Sequence, residues 1–469
     1  MNTDRTAWNN IHLVGIGGSG LSAIALYLHE RGYAVSGCDR VSSPAFRKLQ
    51  ELGIPLWLGH DPAHVAGCEL VLRSSAVHDD HPEVREALAK GIPVLNRAQF
   101  LPRILEPFDV IAVAGTHGKT TTSAMAAWVL SQAGKDPSYI LGGEPKNLSG
   151  SAHAGDGRLF VVEADEYDGM FLGLQPERII LTNVDYDHPD CYPTPEDYRN
   201  AFGKFLGQLR PQGELIVCAD DPSALQLAHQ LPAQKTTTYG LDTSAEFGAR
   251  GLTRDSFAGF SFTVAHRHLG GESQSLGSVS LRVPGRHNVR NALGVIALAN
   301  SLHIDMSIVA SALESFSGVF RRFDTLGEVH GVRIISDYGH HPTEIRTTLE
   351  AAHDAFPESR LIAVWQPHTY SRITAFEHGF QEAFHQADAL LITEVYAARE
   401  SREGFSTQAF SSDFQDPSAW FAPDFNAAAE QLAGFVRPGD VVIIFTAGDA
   451  EEIAGMLISR LNEEAQRAG

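Results

Sequence analysis

Apolar and polar positions follow two rhythms along this chain. Short apolar runs stand at Ile11–Ile16, Val35–Asp39, Leu70–Ser74 and Ile92–Leu95, with a helical pattern over Leu21–Arg31 between the first two. Strand-length apolar runs alternating with helical segments predict a parallel sheet built from crossovers. The pattern restarts at Asp109–Ala114, with a helix over Thr121–Gln132 and strands at Leu159–Glu163, Ile179–Val184 and Glu214–Cys218. Residues 236–284 read differently: Ser, Thr and Gly are frequent, and short alternating runs (Phe260–Ala265, Ser278–Val283) predict antiparallel strands before a helix over Val289–Ser301. A third series of strands is expected at Val332–Ser336, Arg360–Trp365, Ala389–Glu394 and Asp440–Thr446. The class expected is α/β, in three domains over residues 1–107, 108–319 and 320–469.

The length of 469 residues agrees with about three domains. No apolar run reaches the roughly 18–20 residues of a membrane helix. The polar start MNTDRTAWNN lacks the apolar stretch of a signal peptide, so a cytoplasmic protein is expected. The net charge of −21 speaks against nucleic acid or an anionic membrane as partner. It also means that a phosphate-bearing ligand must be met locally, by backbone N–H groups, metal ions and a few placed cations. Cys38, Cys68, Cys191 and Cys218 form no CxxC pair, imply neither disulfide nor zinc framework, and read as small buried apolar residues.

Two glycine-rich turns carry the strongest chemistry. Gly115, Thr116, His117, Gly118, Lys119, Thr120 and Thr121 lie between a strand and a helix. Such a turn aims several N–H groups and the positive end of the helix dipole at one point, where phosphate binds. Lys119 can reach terminal phosphates, and the Thr120 hydroxyl can ligate Mg²⁺. The spacing Gly115-x-x-Gly118-Lys119 is shorter than the common phosphate loop. The other turn, Gly15, Gly17, Gly18, Ser19 and Gly20, also joins strand to helix, with Asp39 about 20 residues on. That satisfies the dinucleotide fingerprint, with Asp39 on ribose hydroxyls, yet any diphosphate fits such a loop, so a nicotinamide cofactor and a sugar nucleotide both remain open. Ser74 and Ser75 can add hydroxyl donors.

Glu163 in EADEYD and His188 in NVDYDH sit at the ends of strands expected to flank the phosphate loop, where carboxylates would hold Mg²⁺. Histidine is unusual for Mg²⁺ and suits only a second ion. His287, Asn288 and Asn291 open a helix and can read an adenine edge, or Asn288 can simply cap it. Arg322 can hold a phosphoryl group, or belong to a surface pair with Arg321. Asp337, Tyr338, His340 and His341, with His368 and Arg372, follow two further strands and suggest a small-substrate pocket. Zinc is disfavoured there because no third and fourth ligands stand at zinc spacing.

Taken together, GTHGKTTT (115–122), EADEYD (163–168), TNVDYDH (182–188), PGRHNVRNA (284–292) and DYGHHPTEI (337–345) closely resemble the Mur ligases, a family of ATP-dependent amide synthetases, across essentially the whole chain. The resemblance implies a Rossmann-like first domain for UDP-N-acetylmuramate, a P-loop-type central ATPase domain and a Rossmann-like last domain for the amino acid. It implies ATP with Mg²⁺ (or Mn²⁺), metal ligation by Thr120, Glu163 and His188, and catalysis with Lys119 and Arg322. It implies an adenine contact at Asn291 and a ribose contact at Asp337, and it implies a monomer or homodimer. GIGGSGLSAIA (15–25) and QPHTYSR (366–372) look like the L-alanine-adding branch, and a tripeptide-recycling branch on the same sugar nucleotide is the alternative. Several other branches carry a carbamylated lysine where the match places Phe202, with Lys204 two residues off.

Overall fold

Strands that are buried on both faces need little but apolar side chains, and the three central ones, Asp109–Ala114, Leu159–Glu163 and Glu214–Cys218, run where their sequence predicts. The computed structural model describes residues 8–231, 235–241, 244–254, 259–267, 273–398, 400–401 and 404–468. They form three sheets in sequence order, each flanked by helices, so the α/β three-domain class holds.

The first sheet is parallel throughout. Across it run Leu56–Leu58, Ala34–Asp39, Asn10–Val14, Leu70–Arg73 and Val94–Asn96. The chain therefore moves outward from Asn10–Val14 in one direction and then in the other. Reversal of strand order opens a crevice at the carboxyl end of that strand, where Gly15–Gly20 lies. The edge strand Leu56–Leu58 was not expected: it is three residues long and largely exposed.

In the ten-stranded central sheet, Asp109–Ala114 lies between Leu159–Glu163 and Arg178–Leu181, all parallel. The phosphate loop, Glu163 and the segment after Leu181 therefore leave the sheet at one edge. Arg178–Leu181 stops short of the expected Val184 because Thr182 turns its hydroxyl onto the carbonyls of Ala114 and His117. The region expected to be wholly antiparallel is mixed. Lys235–Gly240 continues the parallel order, and antiparallel pairing links only Phe247–Arg254, Phe260–Arg267 and Ser273–Leu281.

The last sheet has five parallel strands and an antiparallel edge strand, Asp324–Val329. Val441–Phe445 separates Val332–Asp337 from Leu361–Trp365, so the segments after those two strands flank a second reversal point.

One apolar core runs from the first domain into the central one. Phe160 meets Tyr27 edge-on at 5.3 Å and Phe108 at 5.2 Å. Burying a ring such as Phe160 contributes about 2–3 kcal/mol, so these two domains are joined by packing as well as by the chain. Among the described residues no helix is long and apolar enough to cross a membrane.

Candidate active site

The phosphate loop is shaped by what surrounds it. Gly115 has φ +137° and Gly118 φ +80°, values that favour glycine. A Cβ on Gly115 would stand 2.0 Å from the Thr182 hydroxyl, and one on Gly118 2.9 Å from the Asn291 amide oxygen. Asn183 clamps the loop from its own side, accepting the His117 N–H at 2.9 Å and donating to the His117 carbonyl at 2.9 Å. Helix Lys119–Gln132 then starts with its free N–H groups aimed into the cleft.

Lys119 Nζ donates to the carbonyls of Gly115 (2.7 Å) and Thr116 (2.9 Å) and to Glu166 (2.9 Å). Glu166 is 1% exposed and also accepts from Tyr198. Burial opposes ionisation of both Lys119 and Glu166, yet their mutual attraction outweighs it: the lysine pKa is raised and the glutamate pKa lowered. Thr120 Oγ1 donates to Glu163 at 2.9 Å, and the other Glu163 oxygen accepts the Gly142 N–H at 2.7 Å. A side chain at 142 would collide with that carboxylate, since its Cβ would lie 2.5 Å away.

His188, expected at the next strand end and suited to a second ion, pairs with Glu166 at 3.5 Å. Burial lowers the His188 pKa, but Asp187 and Glu166 outweigh it and raise it. A hydroxyl and a carboxylate at a helix N-terminus suit a hard divalent cation. Thr120 and Glu163 fit that role, whereas His188 faces Glu166.

The first loop faces the same cleft. Gly15, Gly17, Gly18, Ser19, Gly20, Ser74 and Ser75 line a space of about 1800 Å³, together with Thr116, Gly118, Lys119, Thr120, Glu163, Glu166, His188, Arg322, Tyr338, His340, His368 and Arg372. A single ligand pocket usually spans about 300–1,000 Å³, so this space suits more than one ligand. Asp39 is absent from the lining, and its oxygens accept the N–H groups of Gly17 (2.9 Å) and Arg40 (2.7 Å), so it shapes the loop. Asp337 repeats the pattern, accepting from Phe323 and Gly339 at 2.8 Å each, with burial raising its pKa. Both strand-end aspartates, read as ribose contacts, accept backbone N–H groups in this structure.

Asn291 and Asn288 also lie behind the lining. Asn291 donates to Asn288 and backs Gly118; Asn288 donates to the Pro284 carbonyl rather than capping the helix. His287 lies outside the lining too, and burial lowers its pKa to about 4. Thr121 is half-buried on the first helical turn.

The last domain closes the cleft. Arg322 lies 4.9 Å from the Tyr338 ring centre and 3.6 Å from Glu344. His117 bridges the domains, 3.1 Å from Asp185 and 3.3 Å from Glu344. Burial opposes its charge, but hydrogen bonds to the two carboxylates raise its pKa to about 9.

His341 lies outside the lining. It caps helix Pro342–Ala355 by accepting the Thr343 N–H at 3.2 Å, and its Nε2 faces the Tyr186 carbonyl at 3.1 Å, so it fastens the seam. Arg372, expected in the small-substrate pocket, is 4% exposed and binds Asp187 through Nε (3.0 Å) and Nη2 (3.2 Å), with Nη1 2.9 Å from His368. Burial lowers the pKa of His340 to about 3 and that of His368 to about 4, leaving both neutral at pH 7.

Sequence reasoning missed two cleft residues. Arg97 follows the cap residue Asn96; its Nη1 would meet a Cβ on Gly20 at 2.9 Å and lies 3.2 Å from Asp165. It is the cation that the first loop lacks. Glu166 stood inside EADEYD, but only contact with Lys119 marks it as the lysine's partner.

Two glycine turns of the phosphate-binding kind and a cation-bearing third wall face one cleft, the layout of a nucleotide-dependent enzyme. Family models match the chain in order: the Mur ligase family catalytic domain over residues 10–109, the Mur ligase middle domain over 113–299 and the Mur ligase glutamate ligase domain over 321–448. The chain belongs to the Mur ligase family. A UDP-N-acetylmuramate–L-alanine ligase from Roseiflexus sp. is 39% identical, over 97% of this chain and 99% of the relative. The crystal structure of a UDP-N-acetylmuramate-alanine ligase from Thermotoga maritima superposes with a TM-score of 0.82 at 30% identity, over 97% and 99% of the two chains. A murein peptide ligase from Psychrobacter arcticus gives a TM-score of 0.73 at 26% identity, over 96% and 98%.

Proposed function

We propose that this chain is a cytoplasmic ligase that joins L-alanine to UDP-N-acetylmuramate at the expense of ATP, in the synthesis of peptidoglycan precursors. The observation that carries this reading is the shared cleft, in which Gly15–Gly20 and the Lys119–Thr120 helix start face one space. One turn takes the sugar diphosphate, the other the ATP phosphates.

In this reading the sugar's carboxylate attacks the terminal phosphoryl group of ATP, giving an acyl phosphate and ADP. The amine of L-alanine then attacks the acyl carbon, and phosphate leaves as the amide forms. The physical obstacle is repulsion between two anions. Lys119, released from Glu166, and the helix N-terminus offset charge at the transferring phosphoryl group. Arg97 and the first loop hold the diphosphate, and Arg322 faces the phosphates from the last domain. Thr120 and Glu163 would hold a Mg²⁺ or Mn²⁺ ion, which supplies further charge neutralisation there. His340 and His368 are neutral but weak bases, since burial has lowered their pKa. Arg372, which lines the cleft while paired with Asp187, and His368 beside it are the seat assigned to the amino acid's carboxylate.

Phe202 supports the alanine-adding reading. It is fully buried against Phe171 and Tyr198, and Lys204 is exposed, so no lysine from this helix enters the cleft. The test is phosphate release with ATP, Mg²⁺ and UDP-N-acetylmuramate, comparing L-alanine, glycine, L-serine and the tripeptide L-Ala-γ-D-Glu-diaminopimelate. L-Alanine should stimulate release most. Equal release without any acceptor, or preference for the tripeptide, would overturn the reading.

A further inference from the structure

One face of the first sheet buries polar side chains where apolar ones are the rule. His12, on strand Asn10–Val14, is wholly buried, and so is Cys38 on the neighbouring strand. Both point away from helix Ser19–Glu30, toward the turn Pro62–Val65 and helix Pro82–Ala89, which bring His64 and Glu83 to the same place. Cys38 Sγ lies 2.7 Å from Glu83 Oε2, His64 Nδ1 2.7 Å from Oε1, and His12 Nε2 3.6 Å from Oε2. Donor atoms from all four residues fall within 4.8 Å of one another. A tetrahedral shell of nitrogen, sulfur and oxygen ligands has edges of about 3.3–3.8 Å, so a small shift would close these atoms around one ion.

Hydrogen bonding alone leaves two features unexplained. His12 Nδ1 is taken by Ser36 at 2.9 Å, but Nε2, aimed into the cluster, has no hydrogen-bond partner. Glu83 is a carboxylate at 0% exposure whose ion-pair partners among the described residues are all histidines. A buried carboxylate without a fixed cation is costly.

We propose that His12, Cys38, His64 and Glu83 form a structural zinc site, separate from the catalytic cleft. Two neutral imidazoles, one thiolate and one carboxylate carry two negative charges, which Zn²⁺ cancels. Binding releases the thiol proton to solvent. The mixed nitrogen, sulfur and oxygen set selects a borderline-soft ion over Mg²⁺. Four protein ligands close the coordination shell, as structural sites require.

His60 and His81, half-buried with rings 4.3 Å apart, stand at the mouth, and His60 Nδ1 is 3.3 Å from Cys38 Sγ. The carbonyl of Cys38 accepts the N–H groups of Gly15 and Ile16, so the ion would pin the strand end from which the first glycine loop hangs. The four ligands come from four separate elements, with no paired spacing, which is why the cysteines read as plain apolar residues in the sequence.

The test uses the full chain, purified with zinc present and dialysed against zinc-free buffer, with metal measured by mass spectrometry. About one zinc per chain should remain. Cys38→Ser and His64→Ala should each lose it, while His378→Ala, at an 85% exposed surface histidine, should keep it. Cobalt(II) in place of zinc should show a near-ultraviolet thiolate charge-transfer band in the unmodified chain, a reading that does not depend on whether Cys38→Ser folds. Zinc-free protein after dialysis, equal zinc in His64→Ala, zinc lost equally in His378→Ala, or cobalt bound without the thiolate band would each overturn the proposal.

Discussion

The two glycine turns share a local plan, strand to turn to helix, yet they are gripped by different means. The turn at Gly115–Gly118 is gripped from outside by Thr182, Asn183 and Asn291, carries its own lysine, and has two glycines at positive φ. The turn at Gly15–Gly20 is held mainly by Asp39 and Ser43 on Gly17, and borrows its cation, Arg97, from another helix. The difference teaches that a glycine pattern identifies a phosphate but not its fate. A phosphoryl group that must be transferred needs a preorganised cradle with fixed charge. A diphosphate that only anchors its substrate needs N–H groups and one adjustable cation.

The largest expected effect comes from removing the built-in charge. Lys119→Ala should cut phosphate release by about 10³-fold or more. It should also lower the melting temperature, because Glu166 is left buried beside one histidine. Activity within tenfold of the unmodified chain would erase the contrast between the loops.

Gly115→Ala and Gly18→Ala compare the two backbones directly. At 115 the added methyl meets Thr182 at 2.0 Å at a strained φ, so turnover should collapse. At 18 its nearest neighbour is the Gly15 carbonyl at 3.6 Å, so the fold should survive with at most a several-fold rise in KM for the sugar nucleotide. Arg97→Ala should raise that KM about 10- to 100-fold, the worth of one charge-assisted hydrogen bond, while the KM for ATP changes little. Steady-state kinetics with each substrate varied in turn separates these outcomes.

The smallest effect is a pH response confined to the second loop. The His117 pKa of about 9 lies above the ordinary value, so its contribution to stability is complete below about pH 6.5 and disappears as pH rises through 9. Thermal melts should therefore show a loss of order 2 kcal/mol between pH 7 and 9.5, absent in His117→Gln. A wild-type curve flat over that range would show that the contacts to Asp185 and Glu344 carry no charge.

Much of this was legible before any coordinates. Strands buried on both faces, such as Asp109–Ala114, announce themselves as apolar runs, and a strand feeding Gly-Lys-Thr has few other uses. What escaped is what depends on direction and distance. Leu56–Leu58 is apolar but only three residues long and follows a proline, and Lys235–Gly240 opens with Lys and three Thr, so neither offers an apolar run of strand length. Asp39 and Asp337 were correctly placed at strand ends, but sequence does not say whether a carboxylate turns toward ligand or backbone. Arg97 and Glu166 matter through Gly20 and Lys119, 77 and 47 residues away, beyond the reach of any spacing rule.

The ion pair between Arg372 and Asp187 joins residues 185 positions apart, one on each side of the seam between the central and last domains. A wall made in this way has no existence in either half alone: parting the halves by a few ångströms dissolves it and hands both charges to water. Any opening along that seam would therefore have to break the wall itself.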